Sequence, residues 1–130
     1  MNQFHIHPSH LDKALQEIED SIQSIEDSYK YKIMFICEEL LTNIIRHGDF
    51  ETRTPDIYLE IKSETDIYPF SIECKDNAKA FNMLKYPDPN IHADIEERQM
   101  GGLGIYLTKK YAKELRYSFE NGYNILRLSL

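Results

Sequence analysis

Residues 39–43 have the sequence Glu-Leu-Leu-Thr-Asn, and residues 101–104 have the sequence Gly-Gly-Leu-Gly. On a helix, side chains four residues apart lie one above the other, so Glu39 and Asn43 would share a face. The glycine stretch leads directly into an apolar, helix-like run, and backbone amides beside a helix N-terminus form an anion site. An acid, an amide oxygen that can bind Mg²⁺ and a phosphate cradle together indicate nucleotide phosphate chemistry.

The composition describes an acidic globular protein. The 130 residues are 42% hydrophobic and 28% charged, which fits one domain over residues 1–130. A net charge of −7 argues against direct nucleic-acid binding and favours a basic or neutral protein partner. No apolar run is long enough for a membrane span, and no secretory signal is visible. Cys37 and Cys74 lie in separate apolar runs, typical of reduced structural thiols, so we expect a cytoplasmic protein.

Two helices are predicted in the first fifty residues. Apolar residues recur at steps of three and four over residues 11–25, after a capping box formed by Ser9 and Asp12. A second helix is predicted from about Tyr29 to His47, ending at Gly48. Because it is the more apolar of the two, we expect it to be the central buried helix.

Strands are indicated wherever the apolar residues alternate with polar ones. The segments are residues 2–7, 57–61, 68–74 and the hairpin 115–129 with its Asn121-Gly122 turn. A third helix is predicted over residues 103–113. Residues 82–100 contain Pro87 and Pro89 and a charged run, which is typical of a long mobile lid. The predicted fold class is α+β, a two-layer sandwich of a mixed, mostly antiparallel sheet with helices on one face.

The polar face of the second helix has two explanations. A stripe formed by Glu39, Asn43 and His47 is most often simply solvated surface. A neighbouring stripe already makes the helix polar over a wider arc than solvation requires: Glu38, Thr42 and Arg46. In the functional interpretation Asn43 is a Mg²⁺ ligand and Glu39 is a base that takes a proton from an attacking hydroxyl or water. His47 would be a polar neighbour of the phosphates, or a side chain suited to the helix C-terminus.

Two further segments also have ordinary explanations. The glycine cluster alone fits a flexible loop before a helix, and it is neither a dinucleotide-binding fingerprint nor a P-loop. Residues 76–82 follow a predicted strand end and fit a turn, in which Asp and Asn are common.

The order and spacing of three motifs, however, resembles the GHKL ATPases, whose fold is built around the Bergerat nucleotide site. The N box corresponds to Glu39 and Asn43, followed by His47-Gly48. The G1 box corresponds to Asp76, Ala78, Phe81 and Asn82. The G2 box corresponds to residues 101–105, preceded by Glu96-Glu97-Arg98. The resemblance covers nearly the whole chain and is strongest to the small anti-sigma-factor serine kinases of the RsbW and SpoIIAB type.

The resemblance implies a role for each motif. Asp76 would accept a hydrogen bond from the adenine amino group, and Asn43 would hold Mg²⁺ against the phosphates. The backbone amides of Gly102, Leu103 and Gly104 would cradle the phosphates, and residues 82–100 would form the ATP lid. Glu39 would activate a serine of the partner for phosphoryl transfer. The other motif residues assigned to the nucleotide site are His47, Ala78, Phe81, Arg98 and Gly101.

The chain departs from the family pattern at Ala78, where the G1 box has glycine. A left-handed backbone at this position would cost a non-glycine residue roughly 1 kcal/mol. A Cβ would also crowd the adenine. We therefore predict that Ala78→Gly tightens ATP binding or leaves it unchanged.

The resemblance implies an ATP- and Mg²⁺-dependent protein serine kinase that is also an anti-sigma factor. It would phosphorylate a small anti-anti-sigma protein of the STAS type, sequester a sigma factor, and form a homodimer. The alternative is a nucleotide-gated binding module of the same fold without kinase activity. A histidine kinase catalytic part is a third interpretation. We expect it not to apply, because these 130 residues contain no long helical hairpin that carries a phospho-acceptor histidine.

Overall fold

The computed structural model describes residues 2–64, 69–87 and 102–130. Over these residues the elements follow the predicted order β-α-α-β-β-α-β-β. The strands are β1 (Asn2–Ile6), β2 (Ile57–Ser63), β3 (Phe70–Asp76), β4 (Glu114–Glu120) and β5 (Tyr123–Ser129). The helices are α1 (Leu11–Ser21), α2 (Asp27–His47) and α3 (Gly102–Tyr111), with short 3-10 helices at Pro8–His10 and Met83–Lys85.

The five strands form one sheet in the order β1-β2-β3-β5-β4. Each described pairing is antiparallel, so the sheet is antiparallel rather than mixed over the described strands. Leu59, Cys74 and Leu126 are cross-strand partners on β2, β3 and β5, and all three are buried. They belong to the same apolar core as the buried residues of α1 and α2, which confirms the α+β class with helices packed on the inner face.

Helix α2 is the centre of the core, as predicted. It contacts α1, α3 and β3, and Ile33, Ile36 and Leu41 are fully buried. Cys37 on α2 and Cys74 on β3 are free thiols within this core. Burial raises the pKa of Cys37 to about 12 and that of Cys74 well above its usual value. Both thiols therefore stay protonated and act as small apolar side chains.

The predicted capping box at the start of α1 is wrong. Ser9 belongs to the 3-10 turn that begins at Pro8, where its backbone N–H and its hydroxyl both bond His7 Nδ1. Helix α1 then begins at Leu11 without a side-chain cap and ends at Ser21, earlier than its apolar period indicates. Ile22 lies in the following turn and is still buried, so the core continues beyond the helix.

The ends of the other elements match the sequence within a few residues. Helix α2 begins at Asp27, two residues earlier than predicted, and ends before Gly48. Gly48 has a φ of −64°, but an added Cβ would lie 2.4 Å from the Ile44 carbonyl oxygen, so close approach requires glycine here. The β4–β5 turn has positive φ at Asn121 and Gly122, 54° and 82°, which confirms the predicted hairpin.

Some predictions fall outside the described residues. They are the strand start at Tyr68, most of the predicted lid with Arg98, and Gly101 of the G2 box. Among the described helices, none combines the length and the apolar character that crossing a bilayer requires.

Candidate functional site

A cavity of about 430 Å³ lies between the C-terminal half of α2 and the inner face of the sheet. Asn43 and His47 line it from α2, whereas Asp76, Ala78 and Phe81 line it from the end of β3 and the segment that follows. The structure therefore brings the first two motifs together around one space. The volume is in the range of sites for small ligands.

The walls of this cavity are mostly apolar. They are formed by side chains from α2, the sheet, the segment after β3, and α3: Leu40, Ile44, Cys74, Met83, Ile105 and Leu126. A flat aromatic ligand could be desolvated between such walls, while its polar edge would need partners among the few polar groups present.

Asp76 is the principal polar group at the sheet end of the cavity. It is the last residue of β3 and is 7% exposed. Its Oδ1 accepts hydrogen bonds from the Ala78 N–H at 3.0 Å and from Asn124 Nδ2 at 2.9 Å. Burial raises the pKa of Asp76, and these two hydrogen bonds lower it to a smaller extent. Among the described residues Oδ2 has no donor, so it is the oxygen that can accept from a ligand.

Asn124 on β5 orients Asp76, and sequence reasoning missed it. It is 6% exposed, and besides Asp76 its amide nitrogen donates to the carbonyls of Ala78 and Lys79 at 3.1 and 3.2 Å. Its Oδ1 accepts from the Phe81 N–H at 2.9 Å and the Tyr117 hydroxyl at 2.5 Å. The donors face the amide oxygen and the acceptors face the amide nitrogen. Only this orientation of the amide therefore satisfies all these groups.

A signal for Asn124 was present in the sequence. Inward-facing positions of β5 alternate, so Asn124 falls in the same phase as the core residues Leu126 and Leu128. A polar side chain in an apolar phase must find buried partners. Here those partners hold the segment from Ala78 to Phe81 beside the cavity.

The backbone of Ala78 is not strained, although the family pattern has glycine at this position. Among the described non-glycine residues, positive φ occurs at Glu51 and Asn121 and not at Ala78. Ala78 is 4% exposed, and its Cβ would lie 3.4 Å from a Cβ added at Gly48. The methyl group thus fills space beside the end of α2, and the expected cost of a left-handed alanine does not arise.

The first part of the predicted lid, residues 82–87, is anchored to the rest of the protein. The Asn82 side chain caps the short helix by accepting from the Leu84 N–H at 2.9 Å, and Met83 is buried. Lys109 Nζ donates to the Tyr86 carbonyl at 2.9 Å. Phe81, just before this segment, is 54% exposed and packs edge-on against Tyr86 at the edge of the cavity.

Glu39 brings the N box and the G2 box into contact. It is half-buried on α2, and its carboxyl group lies against Gly104 in the first turn of α3. Burial raises the pKa of Glu39, the nearby Glu38 raises it further, and Arg46 lowers it. A raised pKa moves the carboxylate towards the range in which it can take a proton from a hydroxyl group.

Asn43 is a cavity-lining residue that could bind a hard cation. It is half-buried, one turn after Glu39, and offers an amide oxygen. No group of three His, Cys, Asp or Glu side chains that could hold a metal is present in the described part of the chain. Mg²⁺ fits this arrangement, because it uses few protein ligands and completes its shell with phosphate and water oxygens.

The remaining predicted residues are placed as follows. His47 is exposed at the edge of the cavity, where it lines one wall. Gly102, Leu103 and Gly104 form the first turn of α3, whose amide groups have no earlier helical turn to bond to. A helix N-terminus of this kind favours an anion.

Most of this chain matches a known domain family. Residues 4–130 match the model of the histidine kinase-like ATPase domain. The chain is 23% identical over 100 residues to the serine/threonine-protein kinase BtrW of Bordetella bronchiseptica, covering 77% of this chain and 69% of that protein.

A solved structure shows the same fold. The histidine kinase domain of the blue-light activated histidine kinase from Erythrobacter litoralis EL346 superposes with a TM-score of 0.57 at 14% identity. The match covers 92% of this chain and 60% of that domain, so the chain spans less than two thirds of its length.

Proposed function

The chain belongs to the histidine kinase-like ATPase family, and from this premise we propose that it is an ATP-dependent protein serine kinase and anti-sigma factor. The observation that carries the proposal is a single cavity lined by both Asn43 and Asp76, with Glu39 against the first turn of α3. The likeness to a serine/threonine-protein kinase supports a protein rather than a small molecule as phosphate acceptor.

Adenine would bind at the sheet end of the cavity. Asp76 Oδ2 would accept a hydrogen bond from the exocyclic amino group, while Asn124 keeps Oδ1 occupied and the carboxyl plane fixed. The apolar walls formed by Ile44, Met83 and Leu126 would cover the faces of the base. The exocyclic carbonyl oxygen that guanine has at the position of the amino group would meet the carboxylate and be repelled, which favours adenine over guanine.

The triphosphate would extend from there towards the first turn of α3. The turn offers backbone amides and the positive end of the helix dipole to the phosphate oxygens. Asn43 would contribute its side-chain oxygen to a Mg²⁺ ion. When bound, that ion would neutralise charge on the phosphates.

Glu39 would act as the base in the transfer step. The serine oxygen of the acceptor forms a bond to the γ-phosphorus as the bond from that phosphorus to the bridging oxygen of ADP breaks. Glu39 takes the serine proton, and ADP leaves with the electron pair. In such a reaction the protein contributes mainly by positioning the groups and stabilising charge.

We extend the proposal to the partners. The acceptor is a small anti-anti-sigma protein of the STAS type, and its phosphorylation determines whether this chain holds it or a sigma factor. The protein acts in the cytoplasm as a homodimer. Co-purification with a sigma factor in the presence of ATP or ADP, followed by native mass spectrometry, tests both the partner and the dimer.

Kinase activity is tested by incubating the protein with radiolabelled ATP, Mg²⁺ and a candidate acceptor. We expect phosphoserine on the acceptor and its loss in Glu39→Gln. The matched control is Glu38→Gln, an exposed acid one residue away, which should retain transfer.

Two outcomes would contradict the proposal in different ways. Equal transfer by Glu39→Gln and the parent protein would exclude Glu39 as the base. ATP binding without transfer to any acceptor would instead favour the alternative, a nucleotide-gated module that binds its partner without phosphorylating it.

A further inference from the structure

Gly104 and the Glu39 side chain compete for one volume of space. An ideal Cβ built on Gly104 would lie 1.9 Å from Glu39 Oε2, 2.6 Å from Cδ and 3.2 Å from Cγ. Cβ atoms in real proteins essentially never approach another heavy atom closer than 3.0 Å. A side chain at position 104 and the present position of the Glu39 carboxyl group therefore exclude each other.

The usual reason for glycine does not apply at this position. Gly104 is helical, and positive φ among the described glycines occurs at Gly122. Glycine is less favourable than alanine in a helix. Its presence here is thus unfavourable for α3 itself and requires an explanation from the surroundings.

We infer that Gly104 is a positioning residue whose missing side chain allows the Glu39 carboxyl group to rest on α3. The inference deepens the proposed function, because it assumes that Glu39 is the base. It differs from a role in phosphate binding: the Gly104 amide can bind a phosphate with or without a Cβ, whereas the Glu39 carboxyl group can reach its position only without one.

A side chain at position 104 would move Glu39 rather than unfold the protein. The atoms in conflict are the far end of a flexible side chain, so the backbone can stay in place. To reach ordinary contact at 3.4 Å, Oε2 would have to move by about 1.5 Å. A displacement of about 1 Å in a catalytic group can lower a rate about 10²-fold.

The contact is tested first without any activity, by thermal unfolding of the parent, Gly104→Ala, Glu39→Ala and the double variant. Without the Glu39 carboxyl group, Gly104→Ala should raise the melting temperature by a few degrees, because alanine favours the helix. With Glu39 present, the same substitution should raise it less or lower it. An equal shift in both backgrounds would overturn the inference.

The control repeats the Gly104→Ala comparison in a protein that carries Glu38→Ala instead of Glu39→Ala. Glu38 is the neighbouring acid on α2 and is exposed. Gly104→Ala should shift the melting temperature there as it does in the parent protein. If removing Glu38 changes the shift as much as removing Glu39, the effect is general electrostatics and the inference fails.

Kinetics provide the second test. We expect kcat for phosphoryl transfer to fall about 10²-fold in Gly104→Ala, while KM for ATP changes much less. A rise in KM with kcat unchanged would show that Gly104 serves phosphate approach instead. If the parent protein transfers no phosphate, the proposed function fails, and the unfolding cycle still decides the inference about Gly104.

Discussion

At the sheet end of the cavity, the Asp76 carboxyl group and the Asn124 amide are held by six hydrogen bonds of 2.5–3.2 Å to each other and to their surroundings. At the α2 end, the side chains of Asn43 and His47 have no hydrogen-bond partner among the described residues, and Glu39 rests against Gly104. The side chains at the first end are buried and hydrogen-bonded. Those at the second end are half-buried or exposed.

This difference indicates that the sheet end would recognise the base, whereas the α2 end would bind phosphate and Mg²⁺ and carry out the transfer. Apart from Asp76 Oδ2, which faces no donor among the described residues, the side-chain groups of this network are hydrogen-bonded in one arrangement, so the base-binding end would be formed before the ligand arrives. The groups at the other end lack such partners, and phosphate and Mg²⁺ would supply them. Variants at the two ends should therefore affect different quantities: fold stability or recognition of the base at the first end, and the response to Mg²⁺ or the rate at the second.

The largest effect is expected at Asn124. Asn124→Ala would leave the Phe81 N–H and the carbonyls of Ala78 and Lys79 without their partner. We expect the free energy of unfolding to fall by about 2–3 kcal/mol, measured by urea denaturation. Unchanged stability would show that the network does not hold this end of the cavity.

Asp76→Asn should affect ligand binding instead. The variant keeps the shape of the side chain but replaces the charged acceptor, so we expect ATP affinity to fall about 10- to 100-fold in calorimetric titration. GTP affinity should change less. A variant that binds ATP as tightly as the parent would place the base elsewhere.

The pH dependence of stability tests the same carboxyl group. Because burial raises its pKa in the folded protein, Asp76 stabilises the fold below its ordinary pKa, and this contribution is lost as pH rises through the raised pKa. Asp56 is the matched opposite: hydrogen bonding by Tyr123 lowers its pKa. Its contribution is present above its ordinary pKa and is lost as pH falls through the lowered one.

We therefore expect Asp76→Asn and Asp56→Asn to change the pH profile of unfolding in opposite directions. Thermal unfolding across the acidic range measures both. Two profiles that shift in the same direction would contradict the assigned environments.

Asn43→Ala tests the α2 end of the cavity. Since the Asn43 side chain has no hydrogen bond to the described residues, its removal should change the free energy of unfolding by less than about 0.5 kcal/mol. Titration with ATP should lose the increase in affinity that Mg²⁺ gives the parent protein. An Mg²⁺ effect that survives the substitution would remove Asn43 from the metal site.

The smallest effect on ligand binding is expected for Ala78→Gly. With no positive φ to relieve, the substitution adds freedom to the unfolded chain and removes a buried methyl group, and the first of these costs about 0.4–1 kcal/mol of stability. ATP affinity should stay unchanged. A clear loss of affinity would contradict the placement of the adenine pocket beside Ala78.

The sequence predicted the parts of the fold that have a regular period or a fixed turn chemistry. The buried α2, the alternating strands β2 and β3, and the Asn121-Gly122 turn all follow from such local patterns. It failed at the start of α1, where Pro8 and His7 form a 3-10 turn that competes with the expected capping box. Capping depends on backbone geometry that side-chain identity alone does not determine.

The candidate site was predicted as motifs but not as contacts. Glu39, Asn43 and Asp76 were identified from their spacing and a family resemblance, whereas Asn124 belongs to no motif and acts through a cross-strand position. The contact between Glu39 and Gly104 depends on how α3 packs on α2, a tertiary feature that no local pattern encodes.

The most direct test of a shared nucleotide cavity is a crystal structure with Mg²⁺ and a non-hydrolysable ATP analogue. We expect the amino group of the base within hydrogen-bond distance of Asp76 Oδ2, and the triphosphate between Asn43 and the first turn of α3. A nucleotide bound at another surface, with this cavity empty, would contradict the account.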